Sequence, residues 1–189
     1  MFKTVGDEKV YYAPYLYPYY VNGANYDDGR FPYNVNQFDD CRSSNGHGRL
    51  LLTDYGSKSF VININEATKQ NNTFRTALWT GTNLQVTLMS LNVGEDIGLE
   101  MHPNVDQFLR IEQGRGIVQM GKSSDHLPFK RNVYDDSAIV IPAGTWHNLI
   151  NTGNIPLKLY SIYAPPNHPF GTIHATKAAA AVAEEGRRL

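Results

Sequence analysis

"GLEMHPNVDQFLRIEQGRG", residues 98–116, has the outline of a hairpin that holds a metal ion. Side chains alternate across a strand, so Glu100 and His102 point the same way. Pro103 and Asn104 turn the chain, and Gln107 opens a second strand. About 40 residues further on comes "PAGTWHNLIN", residues 142–151, with a second histidine at His147. In an antiparallel barrel His147 can face the same interior as Glu100, His102 and Gln107. Two imidazoles, one carboxylate and one amide oxygen then converge. That donor set suits a borderline divalent transition metal: Zn, Mn, Fe, Ni or Co.

The surroundings read as β structure. "FRTALWT" (74–80), "LQVTLMSLN" (84–92), "IGLEMH" (97–102), "QFLRIEQ" (107–113), "GIVQMG" (116–121), "AIVIP" (138–142), "WHNLIN" (146–151) and "LKLYSIY" (157–163) are short β-branched or apolar runs. Gly94, Gly114, Gly121, Gly144 and the Gly153-Asn154 pair punctuate them. Short strands at this spacing predict an antiparallel sandwich or barrel. Upstream, "RLLLTDYG" and "SFVINI" are two more apolar runs. Asn63 and Glu66 are spaced as a capping box, with Asn71 as a stop, and predict a helix of one or two turns. Thr176 caps a second, Ala-rich helix, "KAAAAVAEE".

The N-terminal stretch is different. Eight of the 12 tyrosines lie in residues 11–33, with Pro14, Pro18 and Pro32. Proline at this density breaks strand ladders, so an irregular arm is expected. The polar, Gly-rich stretch 34–48 reads as a linker. The expected organisation is therefore an arm and linker at 1–48, a barrel at 49–175, and a C-terminal helix and tail at 176–189. The net charge of -1 gives no basic surface for nucleic acid or anionic membrane. No apolar run is long enough to span a bilayer or serve as a secretory signal. The single cysteine, Cys41, cannot form an intrachain disulfide, which favours a cytoplasmic setting.

The two motifs resemble the paired signatures of the cupin superfamily. The family's first motif is G-x5-H-x-H-x(3,4)-E-x6-G. Here it reads Gly94, Glu100, His102, Gln107, Gly114 at matching spacings. The second is G-x5-P-x-G-x2-H-x3-N, read here as Asp136, Pro142, Gly144, His147, Asn151. The resemblance implies an all-β, antiparallel jelly-roll barrel and a metal held by Glu100, His102, Gln107 and His147. Three positions depart from the pattern. Glu100 replaces the family's first His and Gln107 replaces its Glu, so the carboxylate changes place and the count of anions is kept. Asp136, in place of Gly, bears on a turn more than on the site.

The motifs specify a fold before a function. Glu100-Met101-His102-Pro103 is similar to an element of mannose-6-phosphate isomerases, which implies a sugar or sugar-phosphate isomerase. That chemistry needs a Lewis acid and a proton shuttle, for which Tyr160, Tyr163 and Lys158 are candidates. A phosphate would want Arg or Lys at the mouth, and Arg75 and Arg110 lie on candidate strands, but Arg110 counts as facing outward, opposite Gln107, and no phosphate cradle is evident. The alternatives are a metal-dependent dioxygenase of a small organic substrate and a non-catalytic, metal-stabilised binding protein. The Tyr-rich arm, similar in composition to spore-coat proteins, fits the last and a spore-associated location. Candidate substrate contacts are Gln85 and Thr87, if their strand face is interior, with Tyr160 and Tyr163. Met101 and Trp146 are expected to alternate outward, His168 and His174 to be solvated loop residues, and Asn151 to support a turn. Edge strands and the aromatic arm suit a homodimer.

Overall fold

A computed structural model describes residues 48–186. The Tyr-rich arm, Cys41 and His47 lie outside the described residues.

Helix α1 (Ile64–Gln70) begins where the capping box places it, with the Asn63 side chain accepting from the Glu66 N–H. Nine strands follow: β1 (Arg75–Thr80), β2 (Gln85–Leu91), β3 (Asp106–Gln113), β4 (Gly116–Gly121), β5 (Phe129–Val133), β6 (Ala138–Ile141), β7 (Trp146–Asn151), β8 (Leu157–Ala164) and β9 (Ile173–His174). Helix α2 (Lys177–Glu185) closes the chain, and the Thr176 hydroxyl accepts from the Ala179 N–H. The strands form two antiparallel sheets, ordered β6-β3-β8-β2-β1-β9 and β5-β4-β7, in a jelly-roll arrangement. Among the described residues no helix is long and apolar enough to cross a membrane.

Period-2 alternation assigns one face of each strand to the interior. Across the larger sheet the register runs Gln85–Tyr163–Gln107–Ile141, then Thr87–Ser161–Leu109–Ile139, then Met89–Leu159–Ile111. The inward face therefore grades from polar at one end of the barrel to apolar at the other. The apolar end joins Phe74, Leu91, Ile97, Val118, Val133, Leu149, Leu157 and Ala180 in one buried cluster. Burial of that kind stabilises by about 25 cal/mol per Å² of apolar surface. At the apolar end Asn151 spans three carbonyls, of Leu91, Asn92 and Ile155, and accepts from the Gly153 N–H. It is a turn support, as the sequence implies.

Residues 50–64 form no strand. Leu50, Leu52, Tyr55, Phe60, Ile62 and Ile64 instead cover the outer face of the larger sheet, packing on Ala67, Leu78 and Leu88. This explains why β2 is buried on both faces. Lys158 also lies on that side, where its ammonium binds the Asn71 carbonyl and the Asn72 side chain and ties down the end of α1.

The segment 97–102, expected as a strand, is a ladder of isolated bridges. Its backbone pairs with β7 at Ile97–Leu149 (3.1 Å) and at Glu100–His147 (3.0 and 2.9 Å). Gly98 and Leu99 on one side thus oppose Asn148 alone on the other, which is the count of a bulge. Gly98, at φ 93°, takes up the extra residue in a conformation that side chains other than glycine rarely adopt. Asp136 is at φ 69°, where the family motif has Gly, and its carboxylate receives the Arg110 guanidinium at 2.6 Å. Arg110 does face outward.

Candidate metal centre

The bridge between Glu100 and His147 places both side chains at the polar end of the barrel. Glu100 Oε1 stands 3.4 Å from His147 Nε2 and 3.4 Å from His102 Nε2. The three donor atoms all lie within 4.8 Å of one another. Donors on a tetrahedral metal with bonds of about 2.1 Å are separated by about 3.4 Å, so the spacing suits a transition ion.

The protonation pattern points the same way. His147 Nδ1 lies 2.9 Å from the Thr145 carbonyl, which can only accept, so Nδ1 carries the proton. In the neutral ring Nε2 is then a bare acceptor facing a carboxylate oxygen. His102 Nε2 and His147 Nε2 are both buried without a hydrogen-bond partner. Acceptors that face one another in a buried site need a cation between them. Burial alone would raise the Glu100 carboxyl pKa. The positive charge of any proton that His102 or His147 carries toward it, and the nearby Arg75 charge, outweigh burial and hold it well below the usual carboxylate range. Glu100 is therefore an anion in the folded protein.

Gln107 is buried directly opposite Tyr163 on the neighbouring strand. Its amide nitrogen donates to Ser161 Oγ at 3.1 Å, and its Oε1 has no partner. A spare buried amide oxygen at this end of the barrel fits a fourth ligand. The residues present therefore fit a divalent transition ion.

The other candidates divide. Gln85 and Thr87 are on the interior face, both fully buried. The Thr87 hydroxyl has no partner. The Gln85 side chain is already engaged: it accepts from the His168 N–H (2.9 Å) and donates to the His168 carbonyl (2.8 Å) and to Thr80 Oγ1 (2.9 Å). It positions the loop after β8. Tyr163 is fully buried, and its ring meets His102 edge-on with centroids 5.8 Å apart. Burial raises its phenol pKa, opposed by Arg75 and reinforced by Glu100, so the hydroxyl stays protonated. Tyr160 lies on the opposite face of β8, packed with the cluster beneath α1 and 6.3 Å from the Phe108 ring. A separation of three residues in a strand is enough to part Tyr160 from Tyr163.

Two expectations are corrected. His168 is only 6% exposed and meets the Tyr163 ring edge-on at 5.0 Å, because Gln85 holds its backbone inside the barrel mouth. No local pattern marks it. Met101 and Trp146 do not merely face away: with Glu100, His102, Asn167, His168 and Glu184 they line a cavity of about 400 Å³. Arg75, on β1, is the third residue that local reading underrates. It is 1% exposed, and it acts electrostatically on both Glu100 and Tyr163.

A family model described as "Cupin domain" matches residues 87–163. The chain is 70% identical over 182 residues to the uncharacterized protein YrkC of Bacillus subtilis (strain 168), covering 92% of this chain and 97% of that one. It is 45% identical over 115 residues to the uncharacterized protein L612 of Acanthamoeba polyphaga mimivirus, covering 60% and 70% respectively. The crystal structure of BH2720 from Bacillus halodurans superposes with a TM-score of 0.68 at 67% identity, covering 69% of this chain and 98% of that one.

Proposed function

This chain belongs to the cupin superfamily, and on that footing we propose that it is a metal-dependent isomerase of a small sugar or sugar phosphate. Glu100, His102 and His147 hold one divalent transition metal, with Gln107 as fourth ligand. The observation that carries the metal is the pair of buried, unpartnered imidazole nitrogens that face Glu100 Oε1 at 3.4 Å. When bound, the ion supplies Lewis acidity toward a carbonyl and its neighbouring hydroxyl.

Isomerisation moves one proton between adjacent carbons and another between their oxygens. Two residues beside the ligand set suit these tasks. Tyr163 keeps its proton and can donate to a substrate oxygen. His168 lines the cavity, its ring against Tyr163, and is an imidazole of the kind that takes a proton from carbon and returns it. The unpartnered Thr87 hydroxyl adds a polar contact suited to a polyol. Lys158 and Tyr160 are on the outer face and are left out of this reading.

The test is NMR of metal-loaded protein with a panel of aldoses, ketoses and their phosphates in deuterated water. Solvent deuterium is expected at the carbon beside the carbonyl, and His168→Ala should slow its appearance at least about a hundredfold. Oxygen consumption without deuterium exchange would move the reading to a dioxygenase.

Glu100→Gln separates metal binding from folding. The amide loses the site's anion, and metal affinity should fall more than about a hundredfold, beyond the loss expected from a supporting residue. The same amide can donate to a bare imidazole nitrogen, so the metal-free variant should melt at or above the metal-free wild type. Competition with a chelator and thermal melts in its presence read the two effects. A metal-free variant that melts well below the wild type would contradict the facing-acceptor account.

A further inference from the structure

Arg75 is a fully buried cation with few partners. Its side chain is 1% exposed, yet its ion pair among the described residues is one contact of 3.3 Å to Glu184, whose side chain is 38% exposed. Its Nε has no hydrogen-bond partner. A guanidinium has five N–H donors and is costly to bury unless they are used. Glu184 comes from α2 and lines the same cavity as Glu100, His102 and His168, whereas Arg75 does not reach the lining. A carboxylate of the chain itself therefore stands between the ligand cavity and a buried arginine.

Helix α2 is held unevenly. At its start Thr176 caps it, Lys177 pairs with Asp96 at 2.8 Å, and Ala180 packs into the main apolar cluster. At its end Val182 is exposed, and among the described residues the Glu184–Arg75 contact is the ion pair that holds the last turn. The last turn is therefore the more weakly held of the two.

We propose that Arg75 anchors an anionic group of this site's ligand, a carboxylate or a phosphate, and that Glu184 occupies that anchor until the ligand displaces it and the end of α2 swings away. The proposal deepens the reading of the cavity as a substrate site by giving the substrate a charge. The charge balance agrees. Glu100 and Glu184 against Arg75 leave one negative charge, so a divalent ion makes the site positive, and displacing Glu184 makes it more so. A planar guanidinium is also the side chain best matched to either oxyanion.

The test is an NMR titration of the full chain with inorganic phosphate, acetate and, as a neutral control, glycerol, on metal-loaded and metal-free samples. Glu184→Gln removes the internal competitor and should tighten the preferred anion about tenfold in both samples. Arg75→Met should weaken it about tenfold or more, and adding Glu184→Gln to Arg75→Met should restore nothing. If Arg75→Met does not fold, Arg75→Lys replaces it and should weaken binding through loss of the fork. Whichever of phosphate and acetate shows the Glu184 effect names the group. In the wild type the same anion should speed amide exchange late in α2. Unchanged or weaker anion binding in folded Glu184→Gln would overturn the proposal. Because the metal-free arm stands alone, a protein that binds no metal would sink the isomerase reading and leave this result readable.

Discussion

The His102→Ala, His147→Ala double variant should carry no transition metal, whereas the wild type should carry about one ion per chain, as a single ligand set requires. Both imidazoles offer Nε2 to the same carboxylate oxygen at 3.4 Å. Removing them leaves one carboxylate and one amide oxygen, too few donors to retain a borderline ion against buffer. The consequence for stability is large. A ligand at a thousand times its Kd stabilises the native state by about 4 kcal/mol. For a chain of this size that is a melting-point rise of about 8–16 °C. Wild type should therefore show a metal-dependent shift of that order, and the double variant none. Elemental analysis after dialysis, together with melts with and without added zinc or manganese, checks both halves. A double variant that keeps its metal, or a wild type that no metal stabilises, would remove the basis of the site.

The motifs made this trio legible because they encode two things at once. Glu100 and His102 share a face by parity, and Pro142, Gly144 and His147 fix a turn that returns the chain to them. The backbone hydrogen bond from Gly144 to the His102 carbonyl, at 2.8 Å, is where the two motifs meet. The capped helices were legible too, since their signals are local. Strand β5 was not, because its residues Phe129 to Asn132 are all exposed and show no alternation. Residues 97–102 misled for the opposite reason: the pattern suits a strand, but Gly98 and the two-against-one pairing spend a residue on a bulge. The mouth of the cavity was least legible. His168 is buried because Gln85 holds its backbone from 83 positions away, and Arg75 meets Glu184 across 109. Sequence spacing carries no trace of such pairings. Tyr160 is the exception, since counting by twos from Tyr163 already places it outside.

Asn151→Ala should be the most destabilising single substitution outside the apolar core. The residue is 1% exposed, and its side chain holds four backbone groups from two segments: the end of β2 with the residue after it, and the turn between β7 and β8. Alanine leaves three carbonyls and one N–H to find new partners where water reaches poorly. Buried groups left unsatisfied cost about 1–3 kcal/mol each, and some here relax toward solvent, so a total of about 3–4 kcal/mol is expected. That lowers the melting point by about 10 °C. Asn151→Asp distinguishes the donors from the acceptor. It keeps the bond from Gly153 but turns a donor into an anion facing three carbonyls, so it should destabilise at least as much as alanine. If it were milder, the carbonyl bonds would not be the source. Metal content should not change in either variant below its melting point. Asn151 and His147 sit at opposite ends of the same strand, about 13 Å apart at the usual rise. A turn and a ligand set that share one sequence motif are therefore expected to fail separately, the first by unfolding and the second by losing its ion.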